Sequence, residues 1–179
     1  MKHPLGSVVG LWLVLTSAAV AAVNQTGPAA ASFTGKGPAG FKLEGKSDQV
    51  IVKEEGARIA VSVPLATLDT GIDLRNRHMR EKYLETDKYP NATLVVDRSS
   101  IKLPAEGAST QGSGTGQMTI HGKTKPVTFQ YVIRREKGVY VAEGKVPLNM
   151  KEFDINIPSY LGVTVKPDIE TAVTFRFTE

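Results

Sequence analysis

The sequence contains no cysteine, one tryptophan and only three histidines. The absence of cysteine excludes disulfide bonds and a thiol nucleophile. Two histidines, His78 and His121, lie beyond the first 22 residues, and they are far apart in the sequence. A hydrolytic triad or a zinc site with three protein ligands therefore has few residues to draw on, and there is no Gly-x-Ser-x-Gly motif. We expect no metal, no cofactor and no enzymatic activity.

Long apolar runs are also scarce, since the only one extends from Leu5 to Val20 behind a short basic start. This run is shorter than the roughly 20 apolar residues that a transmembrane helix needs, and small residues follow it. We predict a signal peptide over residues 1–22, cleaved near Ala21–Ala22, and a periplasmic or secreted protein without an integral membrane anchor. A flexible, Ala-rich arm is expected over residues 23–31 and one domain over residues 32–179.

The charged residues give no long stripe of a single sign. The formal net charge is +4, but Lys53 is followed by Glu54 and Glu55, and the stretch from Arg134 to Lys137 mixes both signs. Such interleaving is typical of a solvated surface. We therefore expect no nucleic-acid partner.

Much of the sequence alternates between apolar and polar residues with a period of two. The clearest stretches are Arg58–Leu65, Pro126–Arg134, Phe153–Ile157 and Ile169–Phe177. Because successive side chains of a strand point to opposite faces, this pattern predicts antiparallel strands with one solvated face. We count eight or nine short strands, which indicates an all-β fold closed as a barrel or packed as a sandwich.

Two segments interrupt this alternation. Between about Asp73 and Leu84, Met79 and Tyr83 are four residues apart, a spacing that predicts one or two helical turns. The glycine-rich stretch Gly112–Gly116 resembles a phosphate-binding loop. It leads into another predicted strand and not into a helix, so we interpret it as a flexible hairpin loop.

The apolar residues of these segments are the candidates for lining a barrel interior. An eight-stranded barrel is about wide enough to hold a small ligand, although the sequence pattern does not distinguish a hollow barrel from a filled one. The residues expected to face inward along the strands, to roof one end and to lie at the rim are Ile59, Val61, Phe129, Tyr131, Phe153, Ile155, Val173, Phe175, Met79, Tyr83, Leu84, Tyr160 and Leu161.

Several short motifs, taken in order, resemble the signature of the YceI-like family. The resemblance extends from about Phe33 to the C-terminus. The motifs that carry it are Leu68–Ile72, Arg75–Arg80, Lys82–Leu84, Lys88–Pro90, Gly116–Gly122, Lys125–Val127, Phe153–Ile155 and Pro158–Val165.

This resemblance implies a lipocalin-like antiparallel barrel of about eight strands, with a short helix near one mouth. It also implies a secreted or periplasmic protein of bacterial type whose elongated cavity takes a polyisoprenoid-like lipid or quinone. Two departures from the family pattern are visible. An Asp-x-x-His-Ser-like opening strand is replaced here by Ala30–Gly35, and Asn76 stands where an acidic residue is usual, so an ion pair at that position is lost.

The interpretation that follows is a carrier that sequesters a long apolar ligand. Arg75, Arg77 and His78 would contact a polar head group, or alternatively would hold their loop against the strand ends, which we favour. A filled barrel acting as an envelope interaction or stress protein is the main alternative, and an enzyme acting on a lipid is a weaker one. A homodimer is left open.

Overall fold

The computed structural model describes residues 22–160 and 162–179. Most of the predicted signal peptide, residues 1–21, lies outside this part of the chain. The described residues form one α-helix, α1 (Asp73–His78), followed directly by a π-helical turn at Met79–Tyr83. The eleven strands are β1 (Asn24–Lys36), β2 (Lys42–Ser47), β3 (Ile51–Glu55), β4 (Arg58–Pro64), β5 (Asn91–Asp97), β6 (Ser109–Ile120), β7 (Lys123–Glu136), β8 (Val139–Asn149), β9 (Ser159–Tyr160), β10 (Val163–Thr164) and β11 (Asp168–Thr178).

Nine of these strands form a single antiparallel sheet that curls around a central space. Their order is β2-β1-β11-β8-β7-β6-β5-β4-β3, while β9 and β10 form a separate short hairpin. The alternation read from the sequence is realised in β11, where Phe175 and Phe177 are buried and Thr174 and Arg176 are exposed. The prediction of an all-β antiparallel barrel with one short helix is confirmed.

Three local predictions were wrong. The supposed flexible arm over residues 23–31 instead begins β1, where a bulge between Thr26 and Ala30 obscures the alternation. Gly112–Gly116 lies inside β6 and is paired with β7 along its whole length. Phe153–Ile157 is not a strand, because Phe153 ends a 3-10 turn and the following residues are irregular, although Phe153 and Ile155 are both buried.

The Gln25 side chain joins β1 and β3 where the curled sheet meets itself. No backbone ladder joins these two strands within the described chain. The Gln25 side chain instead donates from Nε2 to the carbonyl of Val50 at 2.7 Å, and its Oε1 accepts from the amide of Val52 at 2.8 Å. The amide group of glutamine thus takes the place of a peptide unit at the seam and satisfies backbone groups of two buried residues.

The other edge of the sheet is covered by the chain that leads to α1. The backbone of Lys46 in β2 exchanges two hydrogen bonds with Asp69, at 2.9 and 2.8 Å. Ser47, which is buried, is hydrogen-bonded to Thr67 at 2.6 Å between their hydroxyl oxygens. These contacts pair the exposed edge of β2 and fix the start of the helical segment over one end of the barrel.

The segment between β5 and β6 crosses the opposite end of the barrel. The Arg98 guanidinium contacts the carboxylate of Glu179, and its Nε lies 3.7 Å from Glu54 Oε1. The second oxygen of Glu54 accepts from the amide of Val23 at 2.7 Å. These side chains are largely removed from solvent, so the ion pairs close this end with charges that compensate one another.

The seam predicts the cost of replacing Gln25. In Gln25→Ala, the amide of Val52 and the carbonyl of Val50 lose their partners next to the core. We expect the free energy of unfolding in urea to fall by about 1–3 kcal/mol. Gln130→Ala, at an exposed site on β7, serves as the control and should change it by less than about 0.5 kcal/mol. Equal losses in the two variants would contradict this account of the seam.

Candidate binding cavity

The curled sheet encloses a cavity of about 660 Å³. The mouth of this cavity is at the end of the barrel where α1 lies, and residues of α1 form part of its edge. Nearly every strand contributes apolar side chains to it, and the segments at both ends complete the lining. The strand residues that line it include Phe33, Leu43, Ile59, Val61, Val63, Leu94, Val96, Met118, Ile120, Phe129, Tyr131, Ile133, Ala142, Val146, Leu148, Ile169, Val173, Phe175 and Phe177. The middle of the barrel is therefore an apolar space that protein side chains do not fill.

The interior is hollow because inward-facing aromatic rings lie against the wall. In the register of the sheet, Gly114 is opposite Phe129 and Gly112 is opposite Tyr131. A Cβ atom at Gly114 would lie 2.7 Å from Phe129 Cζ, and one at Gly112 would lie 2.7 Å from the Tyr131 hydroxyl oxygen. Each ring thus occupies the volume that a side chain on the neighbouring strand would need.

The same arrangement recurs across the barrel. Phe33 of β1 is opposite Gly45 of β2, where an added Cβ atom would overlap the Phe33 ring. Neither Gly112 nor Gly114 has a positive φ, so their backbone conformation does not require glycine. The requirement at these positions is steric, since glycine on one strand makes room for the ring of the next.

The helical segment covers the mouth with its apolar face. Met79 is buried with Leu65 and Leu68 in a small cluster, while Tyr83 and Leu84 pack against the main core. The following turn is held by His121 in the β6–β7 hairpin, whose Nε2 lies 2.6 Å from Glu85 Oε2. His121 Nδ1 lies 3.2 Å from the Phe153 carbonyl oxygen. One imidazole thus links the turn at Glu85 to the turn that ends at Phe153.

Asn76 is the buried polar centre of the helical segment. Its Oδ1 accepts from the backbone amide and the hydroxyl of Thr70, at 2.8 and 2.7 Å. Its Nδ2 donates to Asp69 Oδ1 at 2.7 Å. An acidic residue here would place a second carboxylate against Asp69, whereas the Asn76 amide donates a hydrogen bond to it.

The Asp69 carboxylate accepts a further hydrogen bond from the Gly71 amide at 2.8 Å. This backbone hydrogen bond, and then that of Asn76, hold the pKa of Asp69 below its usual value. The pKa is lowered because the ionised carboxylate accepts these hydrogen bonds more strongly than the protonated group does. The contribution of Asp69 to stability is present above the ordinary carboxyl pKa, and it is lost as the pH falls through the lowered pKa.

The structure places most of the predicted lining residues around the cavity. Ten of the thirteen contribute to its surface, whereas Phe153 is 1% exposed in the core beside it and does not line it. Tyr160 lies in β9, and Leu161 is outside the described residues. The ten are Ile59, Val61, Met79, Tyr83, Leu84, Phe129, Tyr131, Ile155, Val173 and Phe175. Their contact with a ligand stays a prediction.

The predicted head-group residues are divided by the structure. Arg75 and His78 line the mouth, whereas Arg77 is exposed on the outside. Over residues 22–160 and 162–179, none of these three side chains hydrogen-bonds to a strand end, and the role of holding the loop falls to Asn76. The end of the barrel opposite the mouth, which we call the floor, contributes Arg98 to the lining. The sequence did not single out this residue.

Sequence reasoning also missed apolar lining residues outside the clearest alternating segments. Phe33 and Leu43 lie in β1 and β2, where the irregular start of β1 hides the period of two. Ile72 and Leu74 line the mouth from the beginning of the helical segment. Their only signal was an apolar residue at every second position around a polar Asp73, which does not indicate a cavity.

Within the described ranges, no three His, Asp or Glu side chains converge so as to hold a metal ion. No described helix combines the length and the apolar character needed to cross a membrane.

The model of the YceI-like domain matches residues 19–177 of the chain. A UPF0312 protein of Pseudomonas putida F1 is 31% identical over 131 residues, covering 65% of this chain and 62% of that protein. Its counterpart in Pseudomonas fluorescens SBW25 is 33% identical over 124 residues, with the same coverage of 65% and 62%. The chain thus spans less than two thirds of the length of these curated relatives. The match to the family confirms the resemblance drawn from the motifs.

Two solved structures share the fold. A polyisoprenoid-binding domain from Saccharophagus degradans, implicated in plant cell wall breakdown, superimposes with a TM-score of 0.71 at 15% identity, over 88% of this chain and 97% of that one. BcnA of Burkholderia cenocepacia superimposes with a TM-score of 0.66 at 21% identity, over 83% of this chain and 95% of that one. Both support the architecture described above.

The ring-over-glycine arrangement predicts the effect of a side chain at Gly114. In Gly114→Val the Phe129 ring must leave its place against the wall, and we expect a loss of about 1–3 kcal/mol in the free energy of unfolding. Shortening the displaced side chain in the double variant Gly114→Val/Phe129→Leu should recover part of this loss. Ser113→Ala, on the exposed face of the same strand, is the control. A double variant whose loss equals the sum of the two single losses would contradict the proposed steric coupling.

Proposed function

This chain belongs to the YceI-like domain family, and we propose that it binds a long apolar molecule, such as a polyisoprenoid lipid or a quinone, inside its barrel and acts as a carrier. The observation that carries the proposal is the apolar cavity of about 660 Å³ along the barrel axis. This volume falls within the range of ligand pockets, about 300–1,000 Å³. The similarity to a polyisoprenoid-binding domain supports the same chemical class of ligand.

The apolar lining supplies the driving force for binding. Removing a chain of roughly 20 carbons from water contributes about 16 kcal/mol gross, at ~0.8 kcal/mol for each methylene. Ordering the ligand and losing its free motion oppose much of this gain. The remainder supports useful affinity without a strong polar contact along the length of the ligand. A polar end group would meet Arg75 and His78 at the mouth, where both side chains line the opening.

We propose further that the protein catalyses no reaction on this ligand. Among the described residues, the charged or histidine side chains that line the cavity are Arg75 and His78 at the mouth, Arg98 at the floor and Glu143 on the wall. Two tyrosines, Tyr83 and Tyr131, also line it, and the Tyr131 hydroxyl accepts from the Lys102 amide at 3.1 Å. The Arg98 side chain is engaged by Glu54 and Glu179, and the carboxylate of Glu143 pairs with Arg134 on the outer face. General acid–base catalysis needs a proton-transferring group within hydrogen-bond reach of the reacting atoms, and the apolar wall offers none along most of the ligand.

The proposed site of action is the periplasm or the extracellular space. The basic start, the apolar run and the small residues near Ala21–Ala22 support export and removal of residues 1–22. In an aqueous compartment outside the cytoplasm, a long isoprenoid needs a carrier, since its apolar surface is poorly compatible with water.

Ligand binding is tested with a variant in which a large side chain on the barrel wall occupies the cavity. The delipidated protein is incubated with radiolabelled geranylgeraniol and passed over a gel-filtration column. We expect one ligand bound for each chain. Val173→Trp, which directs a large ring into the cavity, should weaken binding by about tenfold or more, because the ring takes the volume of several ligand carbons.

Thr174→Trp is the matched control, since the next residue of β11 is exposed on the outer face. It should bind geranylgeraniol as tightly as the unsubstituted protein. If the unsubstituted protein and Thr174→Trp both fail to retain geranylgeraniol, or if the two tryptophan variants retain it equally, the carrier proposal is wrong. An envelope interaction protein that leaves the cavity unused then takes its place.

A further inference from the structure

The rim of the cavity mouth exposes four large apolar side chains. Phe41, Ile72, Leu74 and Val163 are 38%, 47%, 47% and 37% exposed, and all four also line the cavity. Among the described residues, the one other large apolar side chain exposed to this degree is Ile51 on β3. Four of these five residues are thus gathered around a single opening, and we call them the apolar rim. Exposed apolar side chains grouped in this way mark a surface that contacts another apolar phase.

The segments that carry the apolar rim are also strongly basic. Residues 36–42, 70–83 and 158–167 contain seven lysines and arginines and two acidic residues, a net charge of seven minus two, or +5. Residues 54–58, 97–108 and 134–139, at the opposite end, contain six basic and five acidic residues, a net charge of +1. The segments that carry the apolar rim are therefore more basic than these segments of the opposite end.

One of the seven basic residues of the mouth segments forms an ion pair within the described part of the chain. Lys36 pairs with Glu170 at 2.7 Å. Within the described part of the chain, no ion pair involves Lys42, Arg75, Arg77 or the other basic residues of the three mouth segments. The mouth thus presents apolar side chains surrounded by cationic groups available to an external anionic surface.

We propose that the apolar rim docks on a lipid bilayer that contains anionic lipids. The four rim side chains enter the boundary between head groups and acyl chains, while the surrounding lysines and arginines contact lipid phosphates. Both contributions add in interfacial binding. The affinity for the membrane rises with the apolar area that is buried and with each basic residue near the anionic surface.

A bilayer fits these features better than a protein surface does. The basic residues come from three separate segments and have no common spacing, and mobile lipid head groups can match such a pattern without a fixed register. The orientation also places the cavity opening directly on the membrane. A ligand would then pass between the acyl region and the lumen without crossing water, a consequence that rests on the proposed carrier function, whereas docking itself does not.

The test uses the absence of cysteine in the chain. Leu74→Cys and Ile51→Cys are each labelled with the fluorophore NBD, whose emission shifts to the blue in an apolar environment. On addition of phosphatidylcholine–phosphatidylglycerol vesicles, we expect the probe at Leu74 to shift and the probe at Ile51 to stay unchanged. A shift at both sites, or at neither, would overturn the proposal, because docking would then not occur through the mouth.

Charge reversal tests the basic component with a matched control. Lys42→Glu/Arg77→Glu should weaken co-sedimentation with these vesicles by about tenfold or more. Lys53→Glu/Lys145→Glu reverses the same number of charges on the exposed barrel wall and should weaken it much less. Equal effects would overturn the proposal and would favour diffuse attraction or a protein partner. Urea unfolding of each variant verifies that the barrel is intact.

Geranylgeraniol binding by the same proteins separates the two claims. A chain that retains geranylgeraniol in solution but does not shift at Leu74 on vesicles keeps its proposed function and loses the docking surface. A chain that docks but retains no geranylgeraniol loses the proposed function and keeps the docking surface.

Discussion

The steric fit between inward-facing aromatic rings and the glycines opposite them is the constraint on which the interior depends. Phe129 and Tyr131 lie flat because Gly114 and Gly112 leave room on the neighbouring strand, and Phe33 does the same over Gly45. Rings that projected toward the axis would fill the lumen and complete a conventional core. Held against the wall, they instead line a cavity of about 660 Å³. Because contact between water and the apolar wall is unfavourable, a hollow barrel also needs segments that cover its two ends.

The two ends achieve this closure by different means. Ion pairs around Arg98 close the floor. The seam beside it depends on the side chain of Gln25, because no backbone ladder joins β1 and β3 among the residues that the structure describes. At the mouth, the helical segment is held by the hydrogen bonds of Asn76 and by the contact between His121 and Glu85. The buried polar groups of this protein thus serve the geometry of the barrel, and the apolar surface is left for ligand and membrane.

The sequence predicted the sheet well where one face is wet, as in β11, because alternation reports directly on burial. It failed where tertiary packing determined the local structure. Gly112–Gly116 has the composition of a loop, and its glycines become intelligible only when the register places rings opposite them. Phe153 and Ile155 alternate with polar residues yet reach the core from a turn and an irregular segment. The helical segment was placed correctly, but nothing in its sequence revealed that Asn76 is its buried centre.

The central claim is that the barrel holds an apolar molecule where the protein works. Native mass spectrometry of the protein isolated from its own secretory compartment tests this claim most directly, since the occupant need not be chosen in advance. The account predicts a discrete added mass that is released on denaturation and that extracts into organic solvent. A bare mass, together with no uptake of isoprenoids or quinones supplied afterwards, would contradict it.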